Sequence, residues 1–201
     1  TIGLICKDGI VLAADKRATA MNFIADRYTK KIFKISDHMA ITTAGLVSDA
    51  QLFTKIIRAQ LALLNVRRGK EPTVKEAANL LASLSYVNIR QPSMVPGIVA
   101  FLLGGHDEKG LHLYEIGVDG SITKAEDFRA DGSGSTIALG VLESMYKKDM
   151  SVQEGIKLAL KAINAALKRD SATGDGIDIV VVDKNGVRQV MEKRLKLDLE
   201  S

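Results

Sequence analysis

The order of apolar patterns along the chain predicts an α+β fold built from layers of strands and helices, not a strictly alternating parallel sheet. Two observations carry this. Strand-like patterns come in three runs, over residues 1–43, 97–130 and 177–193, and each gap between runs holds two helical patterns. Within the runs, turn signals such as Asp8-Gly9, Asp119-Gly120 and Asn185-Gly186 join neighbouring strands as antiparallel hairpins. No linker or internal repeat interrupts this order. Residues 1–201 read as one domain, with about 194–201 as a charged surface tail.

The elements follow in sequence. Residues 1–7 and 9–14 form two strands about the turn Lys7-Asp8-Gly9. Ile10-Val11-Leu12-Ala13-Ala14 is apolar on both faces, which places it centrally in a covered sheet. Asp15 ends that strand, and a carboxylate there caps a turn or pairs with a cation. After a polar stretch, residues 31–35 and 38–43 pair across Ser36-Asp37. Ser48 and Gln51 have the spacing of a capping box at the start of the first helix. Its apolar positions are Ala50, Phe53, Ile57, Leu61 and Leu64, and Gly69 marks its exit. Thr73 and Glu76 open a second helix running towards Asn88, and Pro92 and Pro96 break the chain after it.

Residues 97–104 form a buried strand, 106–110 a turn, and 111–116 the return strand. A single strand is expected from about Ile122 to Ala130. The loop Asp131-Gly132-Ser133-Gly134-Ser135 then feeds a third helix. Ser151 and Glu154 form another capping box, opening a fourth helix that ends near Arg169. Residues 177–182 and 187–193 are the closing strands.

Composition excludes several functions. Trp is absent and aromatics make up 4%, so a stacking platform for single-stranded nucleic acid is not expected. Residues 1–100 hold 14 Lys/Arg against 7 Asp/Glu, and the rest 14 against 17, but the basic residues form no run. No nucleic-acid partner is therefore expected. One cysteine, Cys6, rules out an intrachain disulfide framework and reads as a buried, inert thiol in a reducing compartment. No stretch reaches 18 apolar residues, so no membrane partner is expected. His106 and His112 lack zinc-hydrolase spacing, and no metal is expected. The loop at 131–135 lacks the Gly-Lys-Ser/Thr of a P-loop, so it reads as a structural turn.

The chain opens on Thr1 without an initiator Met, which reads as a chain cut to begin there. An N-terminal Thr carries a hydroxyl and a free α-amine, so nucleophile and base arrive on one residue. An arbitrary terminus is the other reading of that residue alone.

Five stretches in order give a resemblance. They are Gly9 to Thr19 (GIVLAADKRAT), Lys30-Lys31-Ile32, Thr42-Thr43-Ala44-Gly45, Gly132-Ser133-Gly134-Ser135, and Arg169 to Gly176 (RDSATGDG). Together they resemble the archaeal-type β subunits of the 20S proteasome, members of the N-terminal-nucleophile hydrolases, from the first strand to at least Val182. The resemblance implies a four-layer α-β-β-α sandwich with the active site at one end of its two sheets. It implies a threonine-type endopeptidase that degrades unfolded proteins through an acyl-enzyme ester. Carried over by motif, Thr1 is the nucleophile, Asp15 the acidic partner, Lys31 the essential lysine and Gly45 the oxyanion N–H. Ser133, Asp170 and Thr173 surround the nucleophile's amine, and Thr173 stands where much of the family has Ser. The implied specificity pocket is Ala18, Thr29, Phe33, Thr43, Val47 and Gln51. None of these is charged, which predicts cleavage after apolar residues. A neighbouring Lys31 ammonium is expected to push the amine towards its neutral form.

The resemblance also implies cytoplasmic localisation, no cofactor, and assembly into a β ring, heptameric in the family. The implied partners are α subunits and, through the α ring, an ATPase regulatory particle. One departure matters. In the family the nucleophile is followed by two more Thr, an apolar residue and Gly, whereas Thr1 is followed directly by Ile2-Gly3. Counting back from Asp15, Lys31 and Gly45 puts the nucleophile two residues before Thr1. A start two residues upstream, a catalytically silent structural subunit, and a strand slip that brings Thr1 into place all remain open. An amidotransferase of the same fold is disfavoured, because Cys6 is not terminal.

Overall fold

The computed structural model describes residues 1–195. Two five-stranded antiparallel sheets lie face to face, each covered on its outer side by a helix pair. The first sheet contains β1 (Ile2–Cys6), β2 (Gly9–Asp15), β10 (Phe128–Ala130), β11 (Gly176–Asp183) and β12 (Gly186–Arg194), in the order β10-β1-β2-β11-β12. The second contains β5 (Ile32–Ser36), β6 (Met39–Gly45), β7 (Val99–Asp107), β8 (Gly110–Ile116) and β9 (Ile122–Ala125), in sequence order. Helices α1 (Val47–Arg68) and α2 (Val74–Arg90) cover the second sheet, and α3 (Ser135–Met145) and α4 (Val152–Leu167) cover the first. The result is the expected α+β sandwich of four layers.

Strand alternation explains the layering. Ile10, Leu12 and Ala14 of β2 point between the sheets, where they meet Leu102 and Leu113. Val11 and Ala13 point the other way, towards Leu158, Ala159 and Ala162 of α4. A strand covered on both faces has to be apolar at every position, which is the pattern of β2. Phe53, Ile57 and Leu61 of α1 pack with Ala77, Ala78 and Leu81 of α2 against Phe101 and Leu103 of β7.

Three expectations need correcting. The stretch 122–130 is not one strand. β9 pairs with β8 in the second sheet and β10 with β1 in the first, so the chain crosses between sheets at Glu126-Asp127. Asp127 makes the crossing, since its carboxylate accepts from the Phe128 N–H at 2.6 Å and its carbonyl from the Ile5 N–H at 2.7 Å. The polar stretch after Asp15 holds a further hairpin, β3 (Ala18–Ala20) with β4 (Phe23–Asp26). Its alternation is hidden because eight of its nine residues are solvent-facing, including Met21 at a φ of 54°. Ser48 does not cap α1; that helix starts at Val47 after Leu46 and has no side-chain cap. Thr73–Glu76 and Ser151–Glu154 do form complete capping boxes. Of the surface tail at about 194–201, residues 196–201 lie outside the described residues.

Candidate active site

One end of the two sheets opens into a cleft of about 680 Å³. The segments that end there bring together residues far apart in sequence. β2 delivers Asp15, the segment before β5 delivers Thr29 and Lys31, and β6 delivers Thr43 and Gly45. The first turns of α1 add Val47 and Gln51, the loop before α3 adds Ser133, and the loop after α4 adds Thr173. All of these line the cleft, together with Thr1, Ala18 and Phe33. Asp170 joins them through hydrogen bonds. Its Oδ2 accepts from Ser133 Oγ at 2.5 Å and from Thr173 Oγ1 at 2.5 Å. Thirteen residues singled out from the sequence thus converge on one site.

The acid and the lysine form an ion pair. Lys31 Nζ donates to Asp15 Oδ1 at 2.5 Å. Asp15 is 4% exposed, and its other oxygen accepts from the N–H groups of Arg17 at 3.0 Å and Gly174 at 2.9 Å. A carboxylate this buried is tolerable because each oxygen is bonded and a cation is in contact. The arrangement fixes Lys31 at the lining of the cleft. Burial alone would raise the pKa of Asp170, but the Ser133 and Thr173 hydroxyls hold it below the usual carboxylate range.

Thr1 is fixed by its backbone. Its amine donates to the Asp131 carbonyl at 2.8 Å, and its own carbonyl accepts from the Asp131 N–H at 2.9 Å. The amine's pKa falls from 8.0 to about 6. Burial is the main cause, and it wins over the opposing field of Asp15; the Lys31 ammonium adds to the lowering. Lys31 thus acts in the expected direction, and burial, which the sequence does not display, contributes more. The Thr1 hydroxyl accepts from Thr42 Oγ1 at 3.1 Å. Among the described residues no hydrogen bond joins Thr1 Oγ1 to Lys31.

Gly45 has a backbone that a side chain would obstruct. Its φ is +129°, and a Cβ there would lie 2.2 Å from the Ile98 carbonyl oxygen. The chain can turn from β6 into α1 at that point only with glycine. The turn sets the Gly45 peptide at the mouth of the cleft, beside the N-terminus of α1, whose unpaired N–H groups carry partial positive charge.

Sequence reasoning missed five contributors. Thr42 and Asp131 touch Thr1, and the Asp175 carboxylate accepts from both Arg17 Nε and Arg27 Nε at 2.7 Å. Thr42 was legible in principle, since it sits one residue before Thr43 in a strand of alternating faces. The others depend on chain crossings that no local pattern announces. Cys6 is buried as expected, and burial pushes its thiol up to about 12. Among the described residues no cluster of His, Cys, Asp and Glu fits a metal, and no helix is long and apolar enough to cross a membrane.

Comparison with known proteins gives the family. A family model described as proteasome subunit matches residues 1–182. A proteasome subunit beta of Ferroglobus placidus is 44% identical over 200 residues, spanning 100% of this chain and 93% of that protein. One from Archaeoglobus profundus is 43% identical over 201 residues, covering 100% and 92%. One from Methanococcus aeolicus is 42% identical over 197 residues, covering 98% and 89%. The chain belongs to the proteasome subunit family.

Proposed function

We propose that this chain is a catalytic β subunit of a proteasome-type particle and hydrolyses peptide bonds by acyl transfer to a threonine hydroxyl. The observation that carries the reading is the convergence of Asp15, Lys31, Gly45, Ser133, Asp170 and Thr173 around the start of β1. A hydroxyl on that segment attacks the scissile carbonyl while the α-amine takes its proton. An amine with a pKa near 6 is neutral at neutral pH and free to act as base. The negative charge that develops on the carbonyl oxygen faces the Gly45 N–H, assisted by the α1 N-terminus. Collapse expels the leaving amine, which takes the proton back. Water then hydrolyses the ester by the same proton path. Lys31, held by Asp15, adds to burial in lowering the pKa of the amine. No step calls for a cofactor.

The nucleophile is Thr1 or a Thr two residues upstream. Alternation puts both on the same face of β1, separated by about 6–7 Å of strand. A second reading, a silent structural subunit of the same particle, is favoured by the offset of two residues between Thr1 and the nucleophile position counted back from Asp15, Lys31 and Gly45. The test is intact-mass analysis of the assembled particle after treatment with a Thr-directed covalent inhibitor. An adduct on Thr1 or on a Thr two residues upstream supports catalysis and names the nucleophile. No adduct on an assembled particle establishes the silent reading.

We further infer a single domain in a β ring, partnered by proteasome α subunits and, through them, by an ATPase that delivers unfolded polypeptide in the cytoplasm. The family membership and the match of the chain to whole β subunits support this reading. The lining residues Ala18, Thr29, Phe33, Thr43, Val47 and Gln51 are uncharged, so a Leu- or Tyr-P1 peptide is expected to be cut faster than an acidic-P1 peptide. The reverse order in competing hydrolysis would overturn the assignment of the pocket.

A further inference from the structure

Asp175 is held in an unfavourable conformation for a purpose that the reaction steps above do not use. Its φ is 66°, in the left-handed region, although it is not glycine. Its side chain is 2% exposed and carries two guanidinium partners: Oδ2 accepts from Arg17 Nε and Oδ1 from Arg27 Nε, both at 2.7 Å. A strained backbone at a buried, doubly paired carboxylate persists only where surrounding structure over-determines it.

The partners show what is being tied. Arg17 follows the β2 end that carries Asp15 and Lys16. Its Nη1 also donates to the Ser171 carbonyl at 2.8 Å, and its guanidinium presses on Gly174, where a Cβ would lie 2.2 Å from Arg17 Cζ. Gly174 in turn donates its N–H to Asp15 Oδ2 at 2.9 Å, and its carbonyl accepts from the Lys16 N–H at 3.1 Å. Arg27 follows β4. Two residues on, the Thr29 N–H donates to the Lys16 carbonyl at 3.0 Å, and Thr29 Oγ1 donates to Asp26 at 2.6 Å. One carboxylate thereby joins the loop bearing Asp170 and Thr173, the strand end bearing Asp15, and the hairpin whose ends supply the pocket residues Ala18 and Thr29.

We propose that Asp175 is a positioning residue: through Arg17 and Gly174 it sets Asp15 against Lys31, and through Arg27 it holds the β3–β4 wall of the substrate pocket. This rests on the reading of the cleft as a peptidase site. The two arms have different kinetic signatures. Loss of the Asp175 charge releases both guanidiniums and frees the Gly174 N–H from its place at Asp15, which acts on the chemical step. Loss of Arg27 alone loosens the pocket wall, which acts on substrate binding.

The experiment uses the assembled particle carrying Asp175→Asn or Arg27→Met, with Asp175→Gly as a third variant that removes the carboxylate while relieving the left-handed backbone. Peptide kinetics with a Leu-P1 substrate are measured beside amide hydrogen exchange of peptides covering 26–31 and 170–176. Asp175→Asn and Asp175→Gly release both arms, so each is expected to lower kcat by about tenfold, a size reached by sub-ångström misplacement, and to raise KM by about threefold. Arg27→Met is expected to raise KM by about threefold with kcat retained. Exchange in both segments is expected to quicken in the Asp175 variants. A role confined to stability predicts instead that Asp175→Gly is as active as the parent, and that outcome overturns the proposal. Unchanged exchange in both segments overturns it too, whatever the activity. A parent particle that assembles but cuts no peptide refutes the peptidase reading separately, and quickened exchange would then still establish the clamp.

Discussion

At the residue scale the site depends on groups whose ordinary chemistry is altered by their place. The Thr1 amine is the clearest case. Its folded pKa of about 6 lies below the ordinary 8.0, because burial penalises the charged form. Between those values the unfolded chain binds more protons than the folded one. Stability therefore rises with pH across that window, and the amine's contribution becomes constant above it. Under the proposed mechanism activity has the same sign, since the base acts in its neutral form. With Thr1 carrying the free amine, the acid limb of kcat/KM is expected to inflect near pH 6; a limb centred near pH 8 would show an amine in contact with solvent. Gly45 offers a second test. Gly45→Ala must move either its own peptide or the Ile98 carbonyl, 2.2 Å from the new Cβ. Displacing one oxyanion donor costs about 10²–10³-fold in kcat, so that loss is expected with a smaller change in KM. A variant within tenfold of the parent would remove Gly45 from the role. Asp15, Lys31 and Gly45 were named by the family resemblance, whose motifs lie at recognisable strand ends. The stretch RDSATGDG contains Asp175 but gave no sign of its pairing with Arg17 and Arg27, which lie 158 and 148 residues away.

Among the secondary-structure elements, the chain was readable where local chemistry decides and unreadable where packing does. Thr73 and Ser151 each accept from the N–H of a Glu three residues on, and each Glu reaches back to the cap backbone. Ser48–Gln51 has the same spacing but makes no cap, because the preceding glycine turn and the Leu46 N–H bond to the Ile98 carbonyl at 2.8 Å already set the start of α1. The three serines and threonines therefore separate experimentally. Thr73→Ala and Ser151→Ala are each expected to destabilise the protein by about 1 kcal/mol. Ser48→Ala is expected to stay within about 0.5 kcal/mol of the parent. Denaturant midpoints measured side by side decide it, and an equal loss at all three positions would show that Ser48 caps after all. The missed hairpin β3–β4 and the split of β9 from β10 have one cause. Neither boundary carries a Gly or Pro signal. The hairpin turns at Met21-Asn22, and the crossing at Glu126-Asp127 is made by side-chain and backbone bonds that only the folded chain brings together.

For the whole molecule, the two sheets act as a rigid frame whose open end displays the site. Their shared layer depends on close approach. Gly3 has no side chain where a Cβ would lie 2.9 Å from Leu113 Cδ1 and 3.2 Å from Leu12 Cδ2, so those leucines close over the gap. Leu12 is fully buried and packs with Leu102 and Leu113 of the facing sheet. Leu12→Ala removes contacts that belong to both sheets, and the backbone cannot collapse onto the cavity, because β2 is bonded to β1 on one side and β11 on the other. The expected cost is about 2–5 kcal/mol. The site stands on separate supports: Asp15 is held by Lys31, Arg17 and Gly174, and none of these touches the inter-sheet layer through its side-chain bonds. Well below the unfolding transition, kcat/KM of the Leu12→Ala particle is therefore expected to remain within about threefold of the parent. Urea unfolding and peptide hydrolysis on the same preparation test both halves. A cost under about 1 kcal/mol would mean that the sheets do not pack as a core. A full cost accompanied by loss of activity in proportion would mean that the cleft geometry is set by the spacing of the sheets and not by the ion pairs at their ends.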